Sequence, residues 1–237
     1  MPTIQAAIEA ALASVVGGAP QVTASGRTDA GVHAEGQVAH VRVATRLTPQ
    51  QLVCALNSRL PRDIVMRDAR EVSPDFHALR DVVWKRYRYT IVNRAVRSPL
   101  QASTSAWVSH PLNTSRMRAV AKLLVGRHDF RGFEGSARRA VRSVRQVREL
   151  TIRRQGDRCT IEIVADGFLY NMVRNIVGTL IEVGRGHFDL DRVRRIVASR
   201  DRRLAGPTAP AAGLCLVDVI YRSGIFVDDG VRKGSRA

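Results

Sequence analysis

Residues 167–184 read GFLYNMVRNIVGTLIEVG, a stretch of helical length with few polar breaks. Leu169, Met172, Ile176, Leu180 and Val183 recur at three- and four-residue intervals. Val173, Val177 and Ile181 widen that stripe until much of the circumference is apolar. A helix of this pattern is largely buried. Between Gly167 and Ile181 its only charge is Arg174. Burying a lone guanidinium costs several kcal/mol unless a carboxylate and hydrogen bonds meet it. Arg174 therefore requires an acidic partner elsewhere in the chain, or else it snorkels to solvent.

The neighbours of this helix are strands. Val147–Arg154 and Cys159–Ala165 form a predicted hairpin around Gln155–Asp157. After the helix come a second helix, Leu190–Ser199, a turn region, Arg202–Ala212, and a strand, Gly213–Tyr221. Upstream, Val82–Val92 is a strand, Ser98–Asn113 a proline-bearing crossover and Thr114–Val125 an amphipathic helix capped by Thr114. The chain opens on a helix, Thr3–Val16, with Ile4, Ala7, Ile8, Ala11, Leu12 and Val15 on one stripe. Strands are expected at Gln21–Ala24, Gln37–Val43 and Asp63–Val72, with a short helix at Pro49–Leu56 started by Thr48 and Pro49. Helices alternating with mostly hairpin-linked strands define an α+β protein in two halves. The expected division is 1–81, 82–222 and a polar, frayed tail at 223–237.

Two further stretches carry chemistry. Ser25–His33, SGRTDAGVH, places Arg27, Thr28 and Asp29 between Gly26 and Gly31, in a loop between two strands. Functional side chains concentrate in such loops. The plainer reading is a solvated turn. Val82–Val92, VVWKRYRYTIV, puts Val83, Lys85, Tyr87, Tyr89 and Ile91 on one strand face and Trp84, Arg86, Arg88 and Thr90 on the other. Rings interleaved with guanidinium groups suit unpaired bases and phosphates. Two core tyrosines beside a solvated basic face give the same pattern. His77, in the connector Ser73–Leu79, has no Cys or Ser motif to act on and reads as structural. The arginines of Gly135–Arg145 either contact phosphates or face solvent.

The formal net charge of the 237 residues is +17, and 35 of the 38 basic residues are arginines. A chain this basic, with a pI near 11.3, has a polyanion as its expected partner, nucleic acid first. Cys54, Cys159 and Cys215 are dispersed, without CxxC or ligand spacing, so neither a disulfide scaffold nor a zinc site is expected and a reducing cytoplasm fits. No apolar run approaches membrane-spanning length, and no signal-peptide pattern is visible.

The ordered blocks SGRTDAGVH, GQV, KRYRY, HDF, GFLYNMVRNIVGTLIEVG and the GL of the last strand resemble the TruA family of tRNA pseudouridine(38–40) synthases, over about Thr3 to Tyr221. The resemblance implies two similar ferredoxin- or RRM-like α+β subdomains whose mainly antiparallel sheets join into one, with a basic active-site cleft between them. It implies a homodimer acting on the anticodon arm of tRNA, without cofactor or metal. It gives Asp29 as the nucleophile and Arg174 as its ion-pair partner. It gives Arg27 a part in displacing the target base, Tyr87 a stacking position on the flipped uracil, and Leu214 a place in the uracil pocket. The family's opening strand, with a YDG…F.GWQ.Q block, does not occur here. The resemblance starts at the helix PTIQAAIEAAL, either because the true start lies upstream or because the chain is truncated. An RNA-binding or chaperone protein on the same fold is the alternative, and a basic DNA-binding regulator lacks its usual signatures.

Overall fold

The computed structural model describes residues 3–135 and 140–222. The expected tail, 223–237, and the centre of the arginine-rich loop, 136–139, lie outside the described residues. In chain order the elements are α1 (Ile4–Val16), β1 (Thr23–Ala24), β2 (His33–Ala34), β3 (Ala39–His40) and α2 (Pro49–Asn57). They continue with β4 (Val82–Asn93), β5 (Ala106–Val108), α3 (Thr114–Leu124), β6 (Gly126–Asp129), β7 (Val144–Gln155) and β8 (Arg158–Ala165). The last are α4 (Met172–Arg185), α5 (Leu190–Ser199) and β9 (Leu214–Tyr221). The fold is α+β with a mostly antiparallel main sheet, in two compact units.

The first unit comprises the described parts of Met1–Gly26, Val38–Val82 and Tyr221–Ala237. Thr3 caps α1, its side-chain oxygen accepting from Ala6 N. At α2, the Thr48 side chain accepts from Gln51 N, and the Gln51 side chain accepts from Thr48 N. This reciprocal box satisfies N–H groups that a helix start otherwise leaves unpaired. Ala11, Leu12, Val22 and Leu56 form a small buried cluster between these helices and their flanking segments. β1 pairs with β3 through Thr23–His40 and Ala24–Ala39. The expected strand Gln37–Val43 is thus only two residues long. Asp63–Val72 forms no strand either. Its backbone is held by Asn57 instead: Met66 N donates to Asn57 Oδ1 at 2.7 Å, and Asn57 Nδ2 donates to Met66 O at 2.9 Å. One side-chain amide here takes the place of a neighbouring strand, which leaves no ladder to extend.

The second unit, Arg27–Gln37 and Val83–Ile220, contains the main sheet. The strand order is β2-β9-β4-β8-β7-β6, with β5 also paired to β4. β4, β8, β7 and β6 pair antiparallel, whereas β2–β9 and β4–β5 are parallel. The β7–β8 hairpin forms as expected, with a register shift between Val147 and Glu149. Three strands of this sheet went unforeseen: β2 at the end of the glycine-flanked loop, β5 inside the crossover Ser98–Asn113, and β6 in the segment holding His128 and Asp129. All three are short and mixed in composition, so only their partners make them strands. α3 packs on β7 and α4. The core of this unit includes Tyr89, Phe130, Phe133, Met172, Ile176, Val177 and Leu180.

The predicted helix Gly167–Gly184 is shorter at its start. α4 begins at Met172, because Asn171 has φ +58° and ψ +6°, a left-handed conformation that a right-handed helix cannot contain. The segment Gly167–Leu169 before it has no regular secondary structure. The expected burial is observed from Met172 to Gly184, with Arg174 half-buried among buried residues. α3 is capped by Asn113, whose side chain accepts from Arg116 N, rather than by Thr114.

The candidate active site

The glycine-flanked loop leaves β1 at Ala24 and reaches β2 at His33. Within it, Val32 N donates to Asp29 O at 3.0 Å. This closes a four-residue turn whose third residue, Gly31, has φ +79°. A turn of that shape favours glycine at that position, because a side chain there is strained. The turn holds the Asp29 backbone, and the side chain meets α4. Arg174 Nη1 donates to Asp29 Oδ2 at 3.1 Å. The lone guanidinium of the apolar helix therefore has its carboxylate. The pair is partly covered, with 18% of the Arg174 side chain and 29% of Asp29 exposed.

Arg174 is fixed from two other directions. Its Nε donates to Ala209 O at 2.8 Å, and Nη1 also donates to Asn171 Oδ1 at 3.0 Å. Its own backbone oxygen accepts from Ala209 N at 3.1 Å. Ala209 belongs to the connection between α5 and β9, which rests directly on α4. A Cβ at Gly178 would lie 1.7 Å from Pro207 O, and one at Gly206 would lie 2.7 Å from Thr179 N. Buried Asn175 ties the same segment down: its Oδ1 accepts from Thr208 Oγ1 at 2.7 Å and from Arg202 Nη2 at 2.9 Å.

Tyr87, on β4, packs edge-on against Phe168 with ring centroids 5.1 Å apart. Burial, and secondarily the charge of Asp29, push its phenol up to about 12. The ring thus sits within electrostatic reach of the carboxylate and stays neutral at ordinary pH. Tyr89, two residues on, is buried, and its hydroxyl donates to Pro210 O at 2.8 Å. Gly213 lies against that ring, where a Cβ would sit 2.6 Å from Tyr89 Cζ. Lys85 shares the strand face of Tyr87, and burial lowers its ammonium pKa.

Asp29, Arg174 and Tyr87 are thus brought together as the sequence predicts. Arg27 is exposed on the same loop, and among the described residues it has no ion-pair partner. Leu214, the first residue of β9, is buried in the core against which Tyr87 packs. Sequence reasoning assigned nothing to Asn171, Phe168 or the Ala209 carbonyl. Asn171 and Phe168 stand inside the GFLYN motif, but only the left-handed turn aims the Asn171 side chain. A backbone carbonyl leaves no residue signal at all. His77 is engaged locally: its Nδ1 accepts from Leu79 N and Arg80 N, and its N–H donates to Asp81 Oδ2. Among the described residues no cluster of His, Cys, Asp or Glu is arranged to hold a metal ion, and no helix is long and apolar enough to cross a membrane.

Among the described residues, the Asp29 carboxylate accepts one hydrogen bond, through Oδ2. A carboxylate held by one oxygen keeps the other for attack, while a nearby neutral ring can stack on a planar substrate. An α+β fold presenting these groups together defines a candidate active site. The family model described as tRNA pseudouridine synthase matches residues 1–79 and 120–222, and the chain belongs to that family, in its TruA branch. It is 43% identical over 218 residues to tRNA pseudouridine synthase A of Pelobacter propionicus, covering 92% of this chain and 89% of that protein. It is 44% identical over 204 residues to the Limosilactobacillus fermentum protein of the same name, covering 85% and 79%. The Myxococcus xanthus protein of that name is 43% identical over 224 residues, covering 94% and 84%.

Proposed function

We propose that this chain isomerises uridine to pseudouridine in tRNA, at positions 38, 39 and 40 of the anticodon arm, with Asp29 as the nucleophile. The observation that carries the reading is the single-oxygen contact between Asp29 and Arg174, at 3.1 Å. The reaction breaks the bond between C1′ of the ribose and N1 of uracil, turns the base, and joins C1′ to C5. A proton leaves C5 and N1 gains one, so substrate and product are isomers and no donor or oxidant is consumed. A carboxylate serves this chemistry by attacking the sugar or the base, or by assisting an elimination. Arg174 holds it in place through that contact.

The base must leave its stack before it can turn, at a cost of about a few kcal/mol. Exposed Arg27 is suited to occupy the vacated space and Tyr87 to receive the extruded ring, with Leu214 forming part of the pocket wall. The +17 formal charge supplies attraction to phosphates that weakens as salt is added. A cytoplasmic homodimer binding the tRNA, in two subdomains divided near residue 82, completes the proposal.

Asp29→Asn is the decisive variant. It keeps the side-chain volume and a hydrogen-bond acceptor for Arg174 but removes the nucleophile. The expected result is a loss of pseudouridine formation by at least about a thousandfold. Tritium release from uracil-labelled tRNA measures it, with tRNA affinity retained in a filter-binding assay. Normal turnover by this variant would refute the assignment. Binding without release by the unaltered protein would favour a non-catalytic RNA-binding role.

A further inference from the structure

We propose that Asn171 is a positioning residue that holds the Arg174 guanidinium to a one-oxygen contact with Asp29. The inference rests on the reading of Asp29 as nucleophile. Asn171 occupies the position before the first turn of α4, where an asparagine side chain ordinarily accepts from a backbone N–H of the helix. Here it makes no such cap. Its backbone is left-handed, at φ +58°, one of two non-glycine residues with positive φ among those described. Asparagine tolerates that conformation better than most residues, yet it remains a costly one. What the conformation does is aim Oδ1 at Arg174 Nη1, 3.0 Å away.

The geometry gives this bond a specific consequence. Nη1 carries two protons. One goes to Asp29 Oδ2 and the other to Asn171 Oδ1, while Nε is committed to Ala209 O. Arginine and carboxylate otherwise tend toward a bidentate pair, with two parallel N–H···O bonds. A bidentate pair would engage both oxygens of Asp29, including the one needed for attack. By taking the second Nη1 proton, Asn171 anchors the guanidinium in the orientation that leaves Oδ1 of Asp29 uncommitted. Asn171 touches Arg174 rather than the reacting atoms, so its effect on turnover passes through that side chain.

The test compares Asn171→Gly and Asn171→Asp with the unaltered full chain, using tRNA transcript under single-turnover conditions, with melting temperature and tRNA Kd measured alongside. Glycine keeps the left-handed backbone at no steric cost and deletes the acceptor. Aspartate returns an oxygen to the same place. N171G is expected to lower the single-turnover rate at least tenfold, with Kd for tRNA within twofold and the melting temperature little changed. N171D is expected to recover at least half of that loss on a logarithmic scale. An unchanged rate in N171G overturns the proposal, as does a loss confined to Kd. If N171G also melts substantially lower, N171D decides: recovery of rate supports the proposal, and a rate equal to that of N171G overturns it. Asp29→Asn assayed in parallel separates the two levels. An active D29N refutes the underlying site, whereas an inactive D29N with N171G at the normal rate refutes only the role of Asn171.

Discussion

Asp29 and Tyr87 are near each other, but their environments prepare them for different work. The carboxylate keeps a cation on one oxygen, which leaves the other for attack. The phenol is buried beside that negative charge and is pushed up to about 12, so it enters any reaction near neutrality as an uncharged ring. Two expectations follow at this site. Tyr87→Ala removes the stacking surface, and at about 1–3 kcal/mol per stacked base it should lower kcat/KM roughly 5- to 150-fold in steady-state assays on tRNA. Tyr87→Phe keeps the ring. Because burial pushes the native phenol up to about 12, the two pH–rate profiles should share one shape between pH 7 and 10. An alkaline inflection present in the native profile and lost in Y87F would instead make this phenol the proton acceptor from C5.

The arrangement of Arg174 is a property of α4 and of the segment that lies on it. Gly178 is one turn beyond Arg174, and its missing side chain lets Pro207 approach the helix. The Ala209 carbonyl, two residues later, then reaches Nε of Arg174. Gly178→Ala puts a methyl group where a backbone oxygen already is. The helix gains propensity of about 1 kcal/mol, but the segment must move. The net destabilisation should be about 3 kcal/mol. For a chain of this length that is a fall of roughly 6–12 °C in melting temperature, measured by calorimetry. Because the displaced segment carries an acceptor of Arg174, turnover should fall in the same variant at temperatures where it remains folded. A variant as stable and active as the native protein would show that the contact at Pro207 relaxes at no cost.

The protein as a whole carries three tyrosines whose phenols are raised chiefly by burial, Tyr87, Tyr89 and Tyr221. Tyr87 and Tyr221 are pushed up to about 12. An unfolded chain releases phenolic protons near pH 10. Below that pH both states hold these protons and the phenols contribute no slope. Above it the unfolded state binds fewer protons than the folded one, so stability falls as pH rises. The melting temperature should therefore decline steeply between about pH 10 and 12, with a rise in tyrosinate absorbance that coincides with unfolding. Tyrosinate appearing in the folded protein near pH 10 for all four tyrosines would contradict the observed burial.

Much of this was legible along the chain because local rules acted alone. The stripe of α4, the Thr48–Pro49 helix start and the alternation in Val82–Val92 depend on neighbours within a few residues, and each produced its element. The lone charge of the apolar helix announced an acidic partner, since a buried guanidinium without one is too costly. The motif order identified the family. The resemblance named Asp29, 145 residues away, as that partner. Tertiary structure alone decided that the contact runs through one oxygen. It alone gave Asp63–Val72 a side-chain amide in place of a strand, paired β5 with β4, and turned Asn171 left-handed to face Arg174. These outcomes depend on groups distant in sequence that compete for the same hydrogen bonds, and that competition is settled only when the backbone has closed around them.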